Sequence, residues 1–223
     1  MTPKYALYTT GKLFDRFALE SGLPKGVKPR YNINPTMPAP VIINRDDKRA
    51  VEVMTWGLLA KGTTDLNAIF RYKTYATPSG KLLTSHSRES AARTTRCLVP
   101  VNGFYDIIQE GDVTTAHYTH LADHEVFAIA GIYRSWEDEA GVTQGSFSMI
   151  TSEITPGDSE GGRMPAIIKP DDEATWLDPS FEDANTIYGM LKPYPAGLLV
   201  TDKVSIDVKS SKIDKPALIT PIA

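Results

Sequence analysis

The run Val126–Tyr133, VFAIAGIY, constrains this chain more than any other segment. It is apolar at nearly every position and has no polar face to offer to water. As a strand it must be covered on both sides. Arg96–Val101 and Gly145–Thr151 carry equally strong strand signals, and Pro38–Asn44 and Ala50–Gly57 read as partnered strands. Gly111, Asp112 and Gly141 mark hairpin turns, and Leu198–Val208 and Ala217–Ile222 read as closing strands.

Helical signals are short. Lys12–Ser21 places Leu13, Phe14, Phe17 and Ala18 at helical spacing before Gly22. Ser87–Thr95 holds a helical turn or two, and Pro179–Leu191 reads as a helix. Gly62–Gly80 is polar and reads as a long loop. Sixteen prolines and sixteen glycines are spread evenly, with no repeat, low-complexity tract or linker. These features predict an α+β chain, mainly antiparallel β with a few short helices, in one domain spanning 1–223.

Several function classes are disfavoured. The net charge of −3 is not that of a strongly basic nucleic-acid binder, so DNA binding would need local clustering of Lys and Arg. Cys97 is the single cysteine, so no internal disulfide forms. Polar residues interrupt the apolar stretches at the N-terminus, which lacks a signal-peptide pattern. The expectation is a cytoplasmic monomer with no membrane span.

Motifs for common chemistries are mostly missing. His117, His120 and His124 cluster in HYTHLADH, but no zinc spacing matches, and exposed histidines around a hairpin are the expectation. There is no Walker or GxGxxG pattern, so no cofactor or metal is expected. Cys97 lies in an apolar strand and reads as core. Asp106 follows Gly103-Phe104-Tyr105. A carboxylate held against aromatic rings can act as acid or base, although an Asp there can also cap a turn.

The order of segments says more than any one of them. RYNINPT (Arg30–Thr36), Trp56-Gly57, RCLVPVNGFYD (Arg96–Asp106), FAIAGIY (Phe127–Tyr133), MITSEIT (Met149–Thr155), GRMPAII (Gly162–Ile168) and VSIDVKS with ALITPI run in sequence. This series resembles the SRAP family, the SOS-response-associated peptidase or abasic-site-processing proteins, over nearly the whole chain. The resemblance implies a mainly antiparallel β domain around a DNA-binding cleft that takes single-stranded or gapped DNA. It also implies an N-terminal cysteine that captures the sugar aldehyde, a glutamate, a histidine before the Arg-Met-Pro segment, and an Asn-Ala-Arg-x-Glu segment that holds DNA.

This chain departs from that pattern at the chemistry. Thr2 stands at the cysteine position, and its hydroxyl is a poorer nucleophile than a thiolate. Pro3 hinders removal of Met1, which would leave the amine on the wrong residue. Asp106 replaces the glutamate, Gly161 falls at the histidine position, and His86 is the candidate substitute imidazole. The Asn-Ala-Arg segment matches Ser85-His86-Ser87-Arg88. The resemblance implies binding roles for Lys4, Arg30, Asn32, Trp56, Ser85, Ser87, Arg88, Thr151, Arg163 and Lys209. Three readings result: a DNA binder whose cysteine crosslinking is lost, an enzyme with altered chemistry at Asp106 and His86, or an interaction module without DNA.

Overall fold

The computed structural model describes residues 3–20, 22–63, 65–84, 86–153 and 163–222, apart from the side chains of His86, Ser87 and Glu153. Its elements are β1 (Lys4–Leu7), α1 (Leu13–Arg16), β2 (Arg30–Ile33), β3 (Pro38–Arg45), β4 (Lys48–Trp56), α2 (Asn67–Arg71) and β5 (Ala76–Pro78). Then come α3 (His86–Thr94), β6 (Arg96–Val101), β7 (Gly103–Glu110), β8 (Val113–Leu121), β9 (Phe127–Glu137) and β10 (Thr143–Glu153). The last are β11 (Arg163–Pro165), β12 (Ile167–Ile168), α4 (Glu173–Leu177), α5 (Ala184–Met190) and β13 (Leu199–Val204).

The apolar run is central strand β9, which pairs with β6 on one side and with β10 and β12 on the other. β6 pairs with β3, β3 with β4, and β10 returns to β4 in parallel. The pairings of β3, β4, β10, β9 and β6 therefore close on themselves, which removes free edges. Residues 127–132 are all buried, which is why the run has no polar alternation. Each fully buried Val, Leu or Ile contributes roughly 1.5–3 kcal/mol relative to exposure.

A second, antiparallel sheet runs β13-β8-β7-β1-β2. Tyr5 of β1 meets Trp56 edge to face at 5.0 Å, and Trp56 stacks on Phe147 of β10 at 6.4 Å. Those rings join this sheet to the barrel. On the opposite face, Ala6, Tyr105, Ile107, Tyr118 and Val204 are covered by the C-terminal segment through Val208 and Leu218. Gly111 and Asp112 make the two-residue turn between Glu110 and Val113, with Gly111 at φ 58°.

Four sequence expectations are corrected. The helix expected over Lys12–Ser21 is the single turn α1 after a 3-10 turn. Ala18 at φ 48° stops it, and Phe14 is exposed while Leu13 and Phe17 are core. Gly62–Gly80 contains α2 and β5 rather than being all loop. Ala217–Ile222 is not a strand: Pro216 starts a 3-10 turn, and one bridge, Val204 to Pro221, remains. The closing strand expected to reach Val208 ends at Val204, followed by a 3-10 turn. No helix among the described residues is long and apolar enough to cross a membrane.

Candidate nucleic-acid interface

The candidate site begins at the corner between β6 and β7. Asn102 is buried there and acts as a junction clamp. Its amide N–H donates to Ala6 O at 2.8 Å, and its Oδ1 accepts from the backbone N–H groups of Tyr8 (2.8 Å) and Thr9 (3.1 Å). Its Nδ2 donates to Thr9 Oγ1 and His124 O. This ties the exit of β1 to the entry of β7. Gly103 follows because the Tyr118 ring lies on the strand: an added Cβ would sit 2.5 Å from Tyr118 Cζ and 2.6 Å from Thr119 O.

The β7 register then places Tyr105 beside Lys4 and Asp106 opposite His117. His117 in turn lies opposite Lys203 of β13. Asp106, His117 and Lys203 thus form one cross-strand row, with alternate residues on the other face. The Asp106 side chain reaches solvent, yet the protein around it desolvates the carboxyl and raises it above the usual carboxylate range. The charge of protonated His117 opposes this shift. His117 Nε2 also lies 3.1 Å from Thr115 Oγ1.

The raised carboxyl has a testable consequence for stability. The folded protein holds the Asp106 proton at pH values where the unfolded chain has released it. Its contribution to stability is therefore full below the unfolded value and declines as pH rises through the raised folded value. Asp106→Asn should abolish that decline. In urea denaturation between roughly pH 4 and 7, the variant should gain on the wild type as pH rises. A difference that stays constant with pH would contradict the environment described for this carboxyl.

Several candidate binding residues lie elsewhere or do other work. Thr2, Ser85 and Gly161 lie outside the described residues, as do the side chains of His86 and Ser87. The imidazole that the ladder sets opposite Asp106 belongs to His117; His86 opens α3, which packs on β9 and β6. Trp56, for which the resemblance implies a binding role, lies in the core. It is fully buried between Tyr5 and Phe147, and its Nε1 donates to Tyr75 O at 2.9 Å. Asn32 is also buried, and its Nδ2 lies within bonding distance of Val208 O, Ser210 O and Ile213 O.

Lys4 and the backbone on either side of Lys209 lie against Asn32 of β2, whereas Arg30 opens that strand opposite Leu7. Lys4 is buried, its Nζ bound to Asn34 and 3.5 Å from Asn32 Oδ1; burial lowers its proton affinity. Lys209 is exposed and follows Val208, whose carbonyl Asn32 holds. Thr151 and Arg163 belong to the β10–β11 pair, with Thr151 also beside Pro78 of β5. Arg88 lies on α3.

The histidine expectation also changes. His120 is buried, not exposed, with Nε2 3.0 Å from Asp202 Oδ2 and its ring stacked on His124. Cys97 is buried in β6, and burial pushes its thiol well above the ordinary value.

Comparison with known proteins fits this architecture. The chain is 27% identical over 210 residues to the abasic site processing protein YoqW of Bacillus subtilis, covering 93% of each chain. It is 26% identical to the abasic site processing protein YoaM of Bacillus subtilis, covering 98% of this chain and 97% of that one. A relative in Saccharomyces cerevisiae, also named an abasic site processing protein, is 28% identical over 87% of this chain, which spans 53% of that protein. A solved protein from Bacteroides thetaiotaomicron superposes with a TM-score of 0.84 at 25% identity, covering 99% of both chains. A Bordetella bronchiseptica structure gives 0.72 at 20% identity, over 92% of this chain and 100% of that one. With the family profile described as SOS response associated peptidase (SRAP) matching residues 1–211, the chain belongs to the SRAP family.

Proposed function

We propose that this protein binds DNA carrying abasic sites, as a single-domain cytoplasmic monomer that holds an exposed single strand and forms no cysteine crosslink to it. The names of its relatives and its family support the abasic-site part of the reading. One observation carries the loss of crosslinking: the only thiol in the chain, Cys97, is shut inside β6 and disfavoured as a thiolate by burial. Residue 2 is threonine. An aldehyde captured by an amine needs a neighbouring thiol to close a stable ring, and a hydroxyl does this poorly.

The test is incubation with a single-stranded oligonucleotide containing one abasic site. Retention should weaken steeply as salt rises, because phosphate contacts release counterions. No adduct should survive a denaturing gel. A stable adduct would overturn the loss of crosslinking, and absence of salt-sensitive binding would overturn the DNA reading in favour of an interaction module.

The Asp106–His117 pair favours a second reading, an acid–base enzyme at the same face. A carboxyl raised by partial desolvation exchanges protons closer to neutrality than an ordinary one. Strand cleavage of the abasic oligonucleotide, lost in Asp106→Asn, would establish that reading.

A further inference from the structure

The edge strand β2 is bulged. Tyr5 pairs with Ile33 and Leu7 with Arg30, so β2 carries one residue more than β1 over the same interval. A bulge breaks the alternation of backbone groups along a strand. Here it lets two consecutive amides serve one acceptor. Tyr31 N–H and Asn32 N–H both donate to Asp214 Oδ1, at 2.6 and 3.1 Å. Arg30 Nε completes the grip on Oδ2 at 3.4 Å. Adjacent amides and a guanidinium around one carboxylate make a preformed anion cradle.

Asp214 lines a hollow of about 510 Å³ together with Lys25, Lys28 and Arg30. The hollow therefore holds three cations, Arg30 of the cradle with Lys25 and Lys28, against the one carboxylate of Asp214. The floor is apolar, with Leu7, Ile33 and Pro40, and the volume falls in the range of small-ligand sites. Asp214 belongs to the stretch beyond residue 211, where the family profile ends. Its side chain is 36% exposed, so a ligand can approach the carboxylate from solvent.

We infer that the bulged edge of β2, with Lys25, Lys28 and Arg30, is a binding site for a phosphate group carried by a nucleotide, and that Asp214 occupies it as an internal carboxylate. The two carboxylate oxygens stand in for two phosphate oxygens. The apolar floor accommodates the sugar and base attached to that phosphate. The anion site stands apart from the abasic-site reading; only its use by a DNA strand rests on that reading. Asp214 thereby sets a threshold: a ligand must displace it, so weak anions are excluded.

Thymidine 5′-monophosphate and short oligothymidylate serve as separate probes, followed through the backbone amide resonances of Tyr31 and Asn32. Both amides should shift in the wild type, and Asp214→Ala should bind about tenfold tighter, the order expected for one partly screened charge. Adding Lys25→Ala and Lys28→Ala should reverse that gain. The tail stays anchored without Asp214 through Asn32, Val208 and Leu218, and Asp214→Asn keeps an oxygen acceptor while removing the charge. Shifts with the monophosphate alone support the anion site and count against strand binding there. No shift of either amide with either probe, in wild type and Asp214→Asn, overturns the site whatever DNA does elsewhere.

Discussion

Replacing Arg96 with alanine is expected to cost about 3–5 kcal/mol and to leave much of the population unfolded under mild denaturing conditions. Arg96 is only 3% exposed and donates to five backbone carbonyls. Its Nε reaches Trp176 O at 2.6 Å, Nη1 reaches Ala92 O and Arg93 O, and Nη2 reaches Asp178 O and Phe181 O. These acceptors lie at the end of α3, at the end of α4 and in the loop that follows. The guanidinium thus gathers carbonyls that helix ends leave unpaired, where positive charge is favoured. It also packs on the Trp176 ring at 5.7 Å. Truncation takes the guanidinium from all five acceptors at once, and of these Asp178 O keeps a backbone donor, Phe181 N–H at 3.2 Å. Lysine would recover only part of the loss, since an ammonium has three donors and no planar fork. Urea midpoints for Arg96→Ala and Arg96→Lys check both statements. A loss below about 1 kcal/mol for alanine would show that the carbonyls find other partners.

The second large effect is expected at Trp56. Trp56→Ala should destabilise by about 3–5 kcal/mol through lost burial and the cavity left behind. The ring touches Tyr5 of the open sheet and Phe147 of the barrel, so the two sheets lose their shared packing. Trp56→Phe separates packing from polarity. It keeps an aromatic ring but removes the bond from Nε1 to Tyr75 O, a carbonyl that also accepts from Met149 N at 3.1 Å. That variant should cost about 1 kcal/mol, with faster amide exchange near β5. Equal costs for the two variants would mean that the indole bond, and not the volume, dominates.

Much of the strand inventory was legible in the sequence, and the reasons are local. Uninterrupted apolarity in Val126–Tyr133 announced a strand covered on both sides, and Gly111-Asp112 announced a hairpin. That turn also contained an unused clue. A two-residue loop pairs Glu110 with Val113, and counting back along both strands sets Asp106 opposite His117. The partner of the candidate carboxyl could therefore be found by register, whereas family resemblance directed attention to His86.

Other features were not legible because they depend on distant segments. β5 is three residues long, and only its parallel pairing with β10 makes it a strand. Trp56 and Asn32 carry side chains suited to nucleic acid, but their burial follows from packing that no local pattern records. The apolar residues of Ala217–Ile222 mimic a strand, yet Pro216 starts a 3-10 turn just before them and Pro221 interrupts them.

The closed ring of strands has a consequence for how the molecule is made. Its closing seam joins Thr55 and Trp56 to Ser146 and Phe147, about ninety residues later in the chain. During synthesis β3 and β4 can pair as soon as they emerge, but their outer edge must wait for β10. An exposed apolar edge persists over that interval, and pairing with another nascent chain competes with closure. Expression at lower temperature, or with chaperone capacity in excess, therefore favours the native yield by protecting one seam.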